Sequence, residues 1–323
     1  MLHVFNHVTI RINLMNLKSL KYFLENEALH KEIVYLKNLN QGGTSINLTC
    51  KTADAKFLIK ILPNTNIKRA ERLLRILNSL KQISNIYSPH IIEFNGKQWF
   101  EFDNYIILII EFINGKKLKY KELNETHLNK IYTSYQYIQQ LQLDALPQRK
   151  PEEIYKENKE MIEQLLKTEN NFLKKKVLNK LNRFNKLLNI DTKCDDTPVI
   201  IHGDASLNNT IEDLNKNIAL LDFEMIRYGY IVEDWTEFLL SSVLQHSILF
   251  IPKRHLEKLI KITNNLFKFN IEQWKYGINL YFLNLISKRL KSKKLFKSTR
   301  KDILFILNIK KHKQIYKILN EIY

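Results

Sequence analysis

The sequence predicts an α+β fold of two lobes, a small antiparallel β lobe followed by a larger, mainly helical one. Three observations carry that expectation. Short apolar runs separated by turn residues fill the chain up to residue 113, apolar residues recur at helical spacing from residue 124, and a strand-and-turn block interrupts the helices at 198–224. The chain has 323 residues, enough for a sizeable core in each lobe. The expected division is an N-terminal extension over 1–30, a first lobe over 31–113 and a second lobe over 114–323.

Residues 16–37 read as a helix and then a strand, with a turn near Glu27. Ile33–Lys37 leads into Asn40-Gln41-Gly42-Gly43-Thr44-Ser45, a glycine pair between two strands, and Ile46–Lys51 resumes the strand pattern. Phe57–Leu62 is a further strand ended by Pro63, with Phe57, Ile59 and Ile61 on a wholly apolar face and Lys60 on the opposite one. Residues 67–82 form an amphipathic helix with Ala70, Leu73, Leu74, Leu77 and Leu80 on one side. Ile91–Phe94 and Gln98–Phe102 are short strands around Asn95-Gly96, and Tyr105–Ile113 is an apolar strand that stops at Asn114-Gly115. Helices are expected over 124–143, over 151–190 and from Trp235 to the end. No internal repeat interrupts this order.

Hydrophobic residues make up 45% of the chain and charged ones 26%, as in a folded soluble protein. The longest apolar run, Tyr105–Ile110, is far short of the roughly 20 residues that span a bilayer. Met1–Met15 is interrupted by His3, Asn6, His7, Arg11 and Asn13, so it makes a poor signal peptide, and the expected address is the cytoplasm. Cys50 and Cys194 make neither a disulfide framework nor a metal cage. The net charge of +18 accompanies only 7 Gly and 6 Pro, which points to compositional bias rather than to an anionic partner. No aromatic-basic interleaving or zinc pattern supports nucleic-acid binding. The densest basic tract, 288–301, reads as a solvated helix end with its loop; peripheral contact with an anionic surface is its alternative.

Chemistry is concentrated in His202-Gly203-Asp204-Ala205-Ser206-Leu207-Asn208-Asn209, followed by a hairpin and Leu221-Asp222-Phe223-Glu224. Asp-x-x-x-x-Asn is the spacing of a phosphoryl-transfer loop, in which Asp takes the proton of the accepting hydroxyl and Asn holds magnesium. A second metal-binding Asp follows the hairpin. Such transfer is chiefly positioning and charge neutralisation, so it needs a base and hard oxygen ligands. It also needs a strand lysine for the nucleotide phosphates and a helix glutamate to hold that lysine. Lys60 supplies the first, with a merely exposed lysine as its alternative. Glu71, the only carboxylate between Asp54 and Glu93, borders the apolar stripe and supplies the second.

These motifs resemble the aminoglycoside phosphotransferase and choline/ethanolamine kinase superfamily, whose loop reads H-G-D-x-x-x-x-N and whose metal motif is often I-D-F-E. Protein kinases prefer H-R-D and D-F-G, and no A-P-E segment follows Asp222. The resemblance implies a protein-kinase-like fold and an ATP- and Mg2+-dependent small-molecule kinase, with 31–113 as its nucleotide-binding lobe. It makes Asp204 the catalytic base, Asn209 and Asp222 magnesium ligands, and His202 a brace for the loop. Gly42 and Gly43 correspond to a phosphate-facing G-G-x-x-N turn, and Glu111-Phe112-Ile113-Asn114-Gly115 to the hinge whose backbone would bind adenine. Asp234 falls where relatives start a helix that buttresses the loop; a carboxylate there satisfies helix N–H groups, with substrate contact as the alternative. The chain departs from the pattern in lacking a Leu-His pair near Leu141-Gln142 and a proline near Gly229.

Asp195–Glu237 is acid-rich, and only Lys216 and Arg227 oppose the acids there. Glu224, Glu233 and Glu237 are spare once magnesium is provided for, and they would attract an amine-bearing acceptor such as choline, ethanolamine, an amino sugar or an aminoglycoside. Tyr228, Tyr230, Trp235, Trp274 and Tyr281 could cage a cation, with core packing as the plainer reading. The alternatives are a glycan or lipid-linked saccharide kinase at a membrane surface and a catalytically silent kinase-like regulator.

Overall fold

The computed structural model describes residues 16–39, 45–83, 86–144, 146–188, 194, 196–246, 252–291 and 299–323. Its fold is α+β, and it divides into two compact units, one of Met1–Lys116 with Ile211–Glu224 and the other of Lys117–Thr210 with Met225–Tyr323. The division falls three residues after Ile113, the end expected for the first lobe, and it returns the 211–224 segment to the first unit.

The first unit is built on a five-stranded antiparallel sheet of β1 (Ile33–Asn38), β2 (Ile46–Thr52), β3 (Lys56–Pro63), β5 (Tyr105–Glu111) and β4 (Phe100–Phe102), in that spatial order. The alternation of β3 decides which way Lys60 points. Phe57, Ile59 and Ile61 enter a core with Leu48, Ile107 and Ile109, and Lys60 pairs in register with Asn47 and Leu108. Helix α1 (Leu17–Phe23) is capped by Asn16, whose side chain accepts from Lys18 N at 2.9 Å. The π-helical turn Leu24–Ala28 continues it. Leu20, Leu24, Ala28 and Leu29 are all buried in the sheet's core, so the described part of the segment expected as an extension, from residue 16, packs into this unit's interior. Helix α2 (Ile67–Lys81) buries Ala70, Leu73, Leu74, Ile76, Leu77 and Leu80.

A second, three-stranded sheet has the order β6 (Gly115–Lys117), β8 (Thr210–Asp213) and β9 (Ile218–Leu220). The β8–β9 hairpin closes through Asp213, whose N–H donates to Asn217 O at 2.9 Å and whose side chain accepts from Asn217 N at 2.7 Å. Leu220 N donates to Tyr87 O at 3.1 Å, tying the hairpin to the first unit.

The second unit is helical. Its described helices are α3 (Glu125–Ile138), α4 (Pro151–Thr168), α5 (Phe172–Leu187), α6 (Ile231–His246), α7 (Lys253–Phe267), α8 (Ile271–Lys291) and α9 (Thr299–Ile322). A two-stranded pair, β7 (Val199–Ile201) with β10 (Arg227–Gly229), is set among them. Gly277 lets α8 approach α6 closely, since a Cβ there would collide with Thr236 Oγ1. Trp235, Trp274 and Tyr281 are buried in the core of this unit. Trp235 packs edge-on against Tyr135, and Trp274 Nε1 donates to Asn264 Oδ1 at 2.7 Å. These three are packing residues and do not form the cation cage considered from the sequence. No helix among the described residues is long and apolar enough to cross a membrane.

Candidate active site

In the first unit Lys60 is buried, and its ammonium meets two carboxylates, Asp222 Oδ1 at 3.3 Å and Glu224 Oε1. Burial pulls the Lys60 pKa below the ordinary lysine value, and the neighbouring Asp222 charge pulls it back. Asp222 follows β9 with φ of 60°, a left-handed conformation that Asp and Asn tolerate better than other side-chain-bearing residues. Its side chain remains 47% exposed, so a hard oxygen is available there for a cation. The turn Phe223–Met225 comes next and buries Phe223.

Glu71 is exposed on α2, and the pairing with Lys60 expected of it is made by Glu224. On that helix Arg69 and Arg72 meet the turn instead: Arg69 pairs with Glu224 Oε2, and Arg72 NH2 donates to Glu224 O at 2.6 Å. Glu111 closes β5, with its N–H donating to His90 O at 2.8 Å, and Ile113 is buried two residues beyond. Gly42 and Gly43 lie outside the described residues.

In the second unit β7 delivers the loop His202–Asn209. His202 is buried, and Gly203 adopts φ of 77°, where a Cβ would collide with the Met225 carbonyl oxygen. The loop is held from beneath by Asp234 in the first turn of α6, whose Oδ2 accepts from His202 N at 2.7 Å and whose Oδ1 accepts from Gly203 N at 2.8 Å. Both oxygens of this buried carboxylate accept from the loop backbone, so it braces the loop. Burial raises the Asp234 pKa, against the charge of His202 and the two N–H donors. The helix start is served by Glu233, whose Oε1 accepts from Tyr230 N at 2.9 Å in the manner of a capping box. Its Oε2 pairs with Arg227 NH2 at 2.7 Å. Tyr228 is half-buried in β10, with its N–H donating to Pro147 O at 3.0 Å.

Asp204 itself is one-third exposed. Asn209 Nδ2 donates both to its main-chain O at 2.9 Å and to its Oδ2 at 3.0 Å, which leaves the Asn209 Oδ1 for other duty. Lys288 from α8 places its ammonium 3.2 Å from Asp204 Oδ1 and 2.9 Å from Glu237 Oε1. Loss of water around the ammonium acts to lower the Lys288 pKa, but the Glu237 and Asp204 charges outweigh it, and the group titrates above the ordinary lysine value. Lys291 pairs with Glu157 at 2.5 Å. Two cations of the basic tract are therefore engaged with acids of the same unit, and 292–298 lie outside the described residues.

The carboxylates read as spare in the sequence all have cationic partners: Glu224 with Lys60 and Arg69, Glu233 with Arg227, and Glu237 with Lys288. A reservoir of unpaired acid for an amine is therefore not built from these three. Sequence reasoning missed Arg69, Arg72 and Lys288, whose roles depend on helix faces rather than on motif spacing.

The sequence model of the phosphotransferase enzyme family, APH, matches residues 42–246. No curated protein matches the chain by sequence. Among solved structures, an amicoumacin kinase in complex with AMP-PNP, Ca2+ and its ligand is 13% identical, with 89% of this chain and 92% of that one covered and a TM-score of 0.64. A spectinomycin phosphotransferase in complex with ADP and spectinomycin is 13% identical, covering 94% and 97%, also at 0.64. The Plasmodium vivax ethanolamine kinase is 18% identical, covering 94% and 91%, at 0.64.

Proposed function

Because the chain belongs to the phosphotransferase enzyme family APH, we propose that it moves the γ-phosphate of ATP to a hydroxyl of a small molecule. One observation carries the reading: the part-exposed Asp204 carboxylate stands on a loop whose backbone is pinned by the buried Asp234 and whose far end is tied back by Asn209. A base held so rigidly is oriented before the acceptor arrives. The acceptor oxygen bonds to the γ-phosphorus, the bond from that phosphorus to the ADP oxygen breaks, and the hydroxyl proton goes to Asp204. Lys60 holds nucleotide phosphates. Glu111 and Ile113 line the adenine through their backbone, and the resemblance assigns the phosphates also to Gly42 and Gly43, which lie outside the described residues.

Asp222 and Asn209 each offer an oxygen that suits magnesium, which takes one or two protein ligands and fills its shell with phosphate and water. When bound, the ion neutralises charge on the phosphate oxygens. The names of relatives support nucleotide and divalent-metal use, since two of those structures contain AMP-PNP with Ca2+ and ADP.

For the acceptor we propose an amine-bearing alcohol, in keeping with the spectinomycin and ethanolamine named for relatives. The Lys288 ammonium on Asp204 and Glu237 favours a second reading, a neutral saccharide, because a cation already fills that acid pair. The test is magnesium-ATP consumption against amino alcohols, amino sugars, aminoglycosides and neutral saccharides, run beside Asp204→Asn. Transfer by that variant should fall by about two to four orders of magnitude while nucleotide affinity persists. Full turnover by Asp204→Asn would remove the base, and nucleotide binding without transfer to any class would make the chain a silent regulator.

A further inference from the structure

Lys60 on β3 and Arg69 on α2 are both cations, and one carboxylate lies between them. Glu224 gives Oε1 to Lys60 and Oε2 to Arg69, and its main-chain oxygen accepts from Arg72 at 2.6 Å. The Lys60 and Glu224 side chains are each only 8% exposed. Charges so buried depend on one another, because removing Glu224 leaves Lys60 with only Asp222 among the described acids, 3.3 Å away and 47% exposed, and takes the Glu224 carboxylate from Arg69. A helix acid set directly against the strand lysine would do the same job, but the α2 face that meets the turn carries arginines, and Glu71 is exposed.

We propose that Glu224 and Arg69 are positioning residues for Lys60: the carboxylate relays the placement of α2 to the phosphate-holding ammonium, with the helix supplying the cation and the Asp222–Glu224 turn supplying the acid. This rests on the reading of Lys60 as a phosphate ligand. Neither Glu224 nor Arg69 needs to touch the nucleotide.

The relay makes a prediction opposite in sign to that of simple electrostatics. Removing a negative charge beside a phosphate site should tighten binding of ATP. Removing the relay should loosen it, because Lys60 and Arg69 then repel and the ammonium leaves its place. The experiment titrates ATP and adenosine against wild type, Lys60→Ala, Arg69→Met, Glu224→Gln and the Arg69→Met/Glu224→Gln double variant, with magnesium and with chelator. Glu71→Gln serves as the control on the opposite face of α2, and circular dichroism verifies that each variant is folded.

About tenfold weaker ATP binding is expected for Arg69→Met and for Glu224→Gln, on the scale of one charge-assisted hydrogen bond. Adenosine affinity should be unchanged, the loss should persist in chelator, and the double variant should be no weaker than Glu224→Gln alone. Tighter or unchanged ATP binding by Glu224→Gln overturns the relay. So does a loss confined to magnesium, which would make Glu224 a metal ligand only, and so does an equal loss for adenosine, which would make the cluster merely structural. Failure of wild type to bind ATP, or unchanged binding by Lys60→Ala, would instead strike the reading of Lys60 itself. Arg69→Lys, which keeps the charge, should recover most of the affinity.

Discussion

The Lys288 ammonium lies 3.2 Å from Asp204 Oδ1, while Asn209 Nδ2 lies 3.0 Å from Asp204 Oδ2, so each oxygen of the proposed base has its own tether. One tether is local to the loop and the other comes from α8, 84 positions along the chain. A carboxylate has about four acceptor sites, so two donors fix its plane and still leave lone pairs for a proton.

Lys288→Met should therefore lower kcat by about 10- to 100-fold through misorientation of the base. ATP affinity should stay within about twofold of wild type, because Lys288 is assigned no phosphate contact. The Lys288 side chain is 56% exposed, and ion pairs that open contribute little stability, so the melting temperature should barely move. Steady-state kinetics on the acceptor found by the screen decides the matter. Unchanged kcat would leave the Lys288–Asp204 contact without a part in the reaction.

Asp234→Ala should act on the fold and the loop together. It strands the N–H groups of His202 and Gly203, both of which now donate to that carboxylate within 2.8 Å. Leaving buried donors unpaired costs about 1–3 kcal/mol each, so a loss of roughly 2–6 kcal/mol is expected from the denaturant midpoint. Asp234→Asn keeps one acceptor oxygen and should lose less. Equal stability of Asp234→Ala and wild type would show that the two N–H groups find other partners.

How much of this was legible depended on the range of each interaction. The Asp204 and Asn209 pair spans five positions of one loop, and the β3 alternation needs only six residues, so both could be read directly. The partner of Lys60 could not, because Glu224 is 164 positions away and becomes its neighbour only when the hairpin returns to β3. Composition points to Glu71, yet at about 100° per residue it is turned some 200° from Arg69, whereas Arg72 shares the Arg69 face. The choice of α2 face is made by tertiary packing. The tract beginning at Lys288 shows the same limit in another form: charge density along a sequence does not reveal which lysine of a helix end turns toward an acid. Asp234 was placed by resemblance at a helix start that buttresses the loop, and the structure adds that its carboxylate serves the loop backbone while Glu233 serves the helix.

His312 gives the second unit a dependence on acid. It sits on α9 with Nε2 3.1 Å from Asn279 Oδ1 on α8, and Tyr316 OH donates to the same oxygen at 2.8 Å. The rings of Phe184, Phe282 and Tyr316 lie within 5.2 Å of it. Burial, with a smaller contribution from Lys313, lowers its pKa from 6.5 to about 4. The unfolded chain therefore takes up this proton before the folded one does. The contribution is fully present above about 6.5 and is lost progressively as the pH falls toward about 4. Its upper bound is about 3 kcal/mol, from about 1.4 kcal/mol for each pH unit. Urea unfolding of wild type between those limits should show stability declining with acid, and His312→Gln, which cannot titrate, should show a flatter profile over the same window. Parallel profiles for the two proteins would assign the acid sensitivity to other groups.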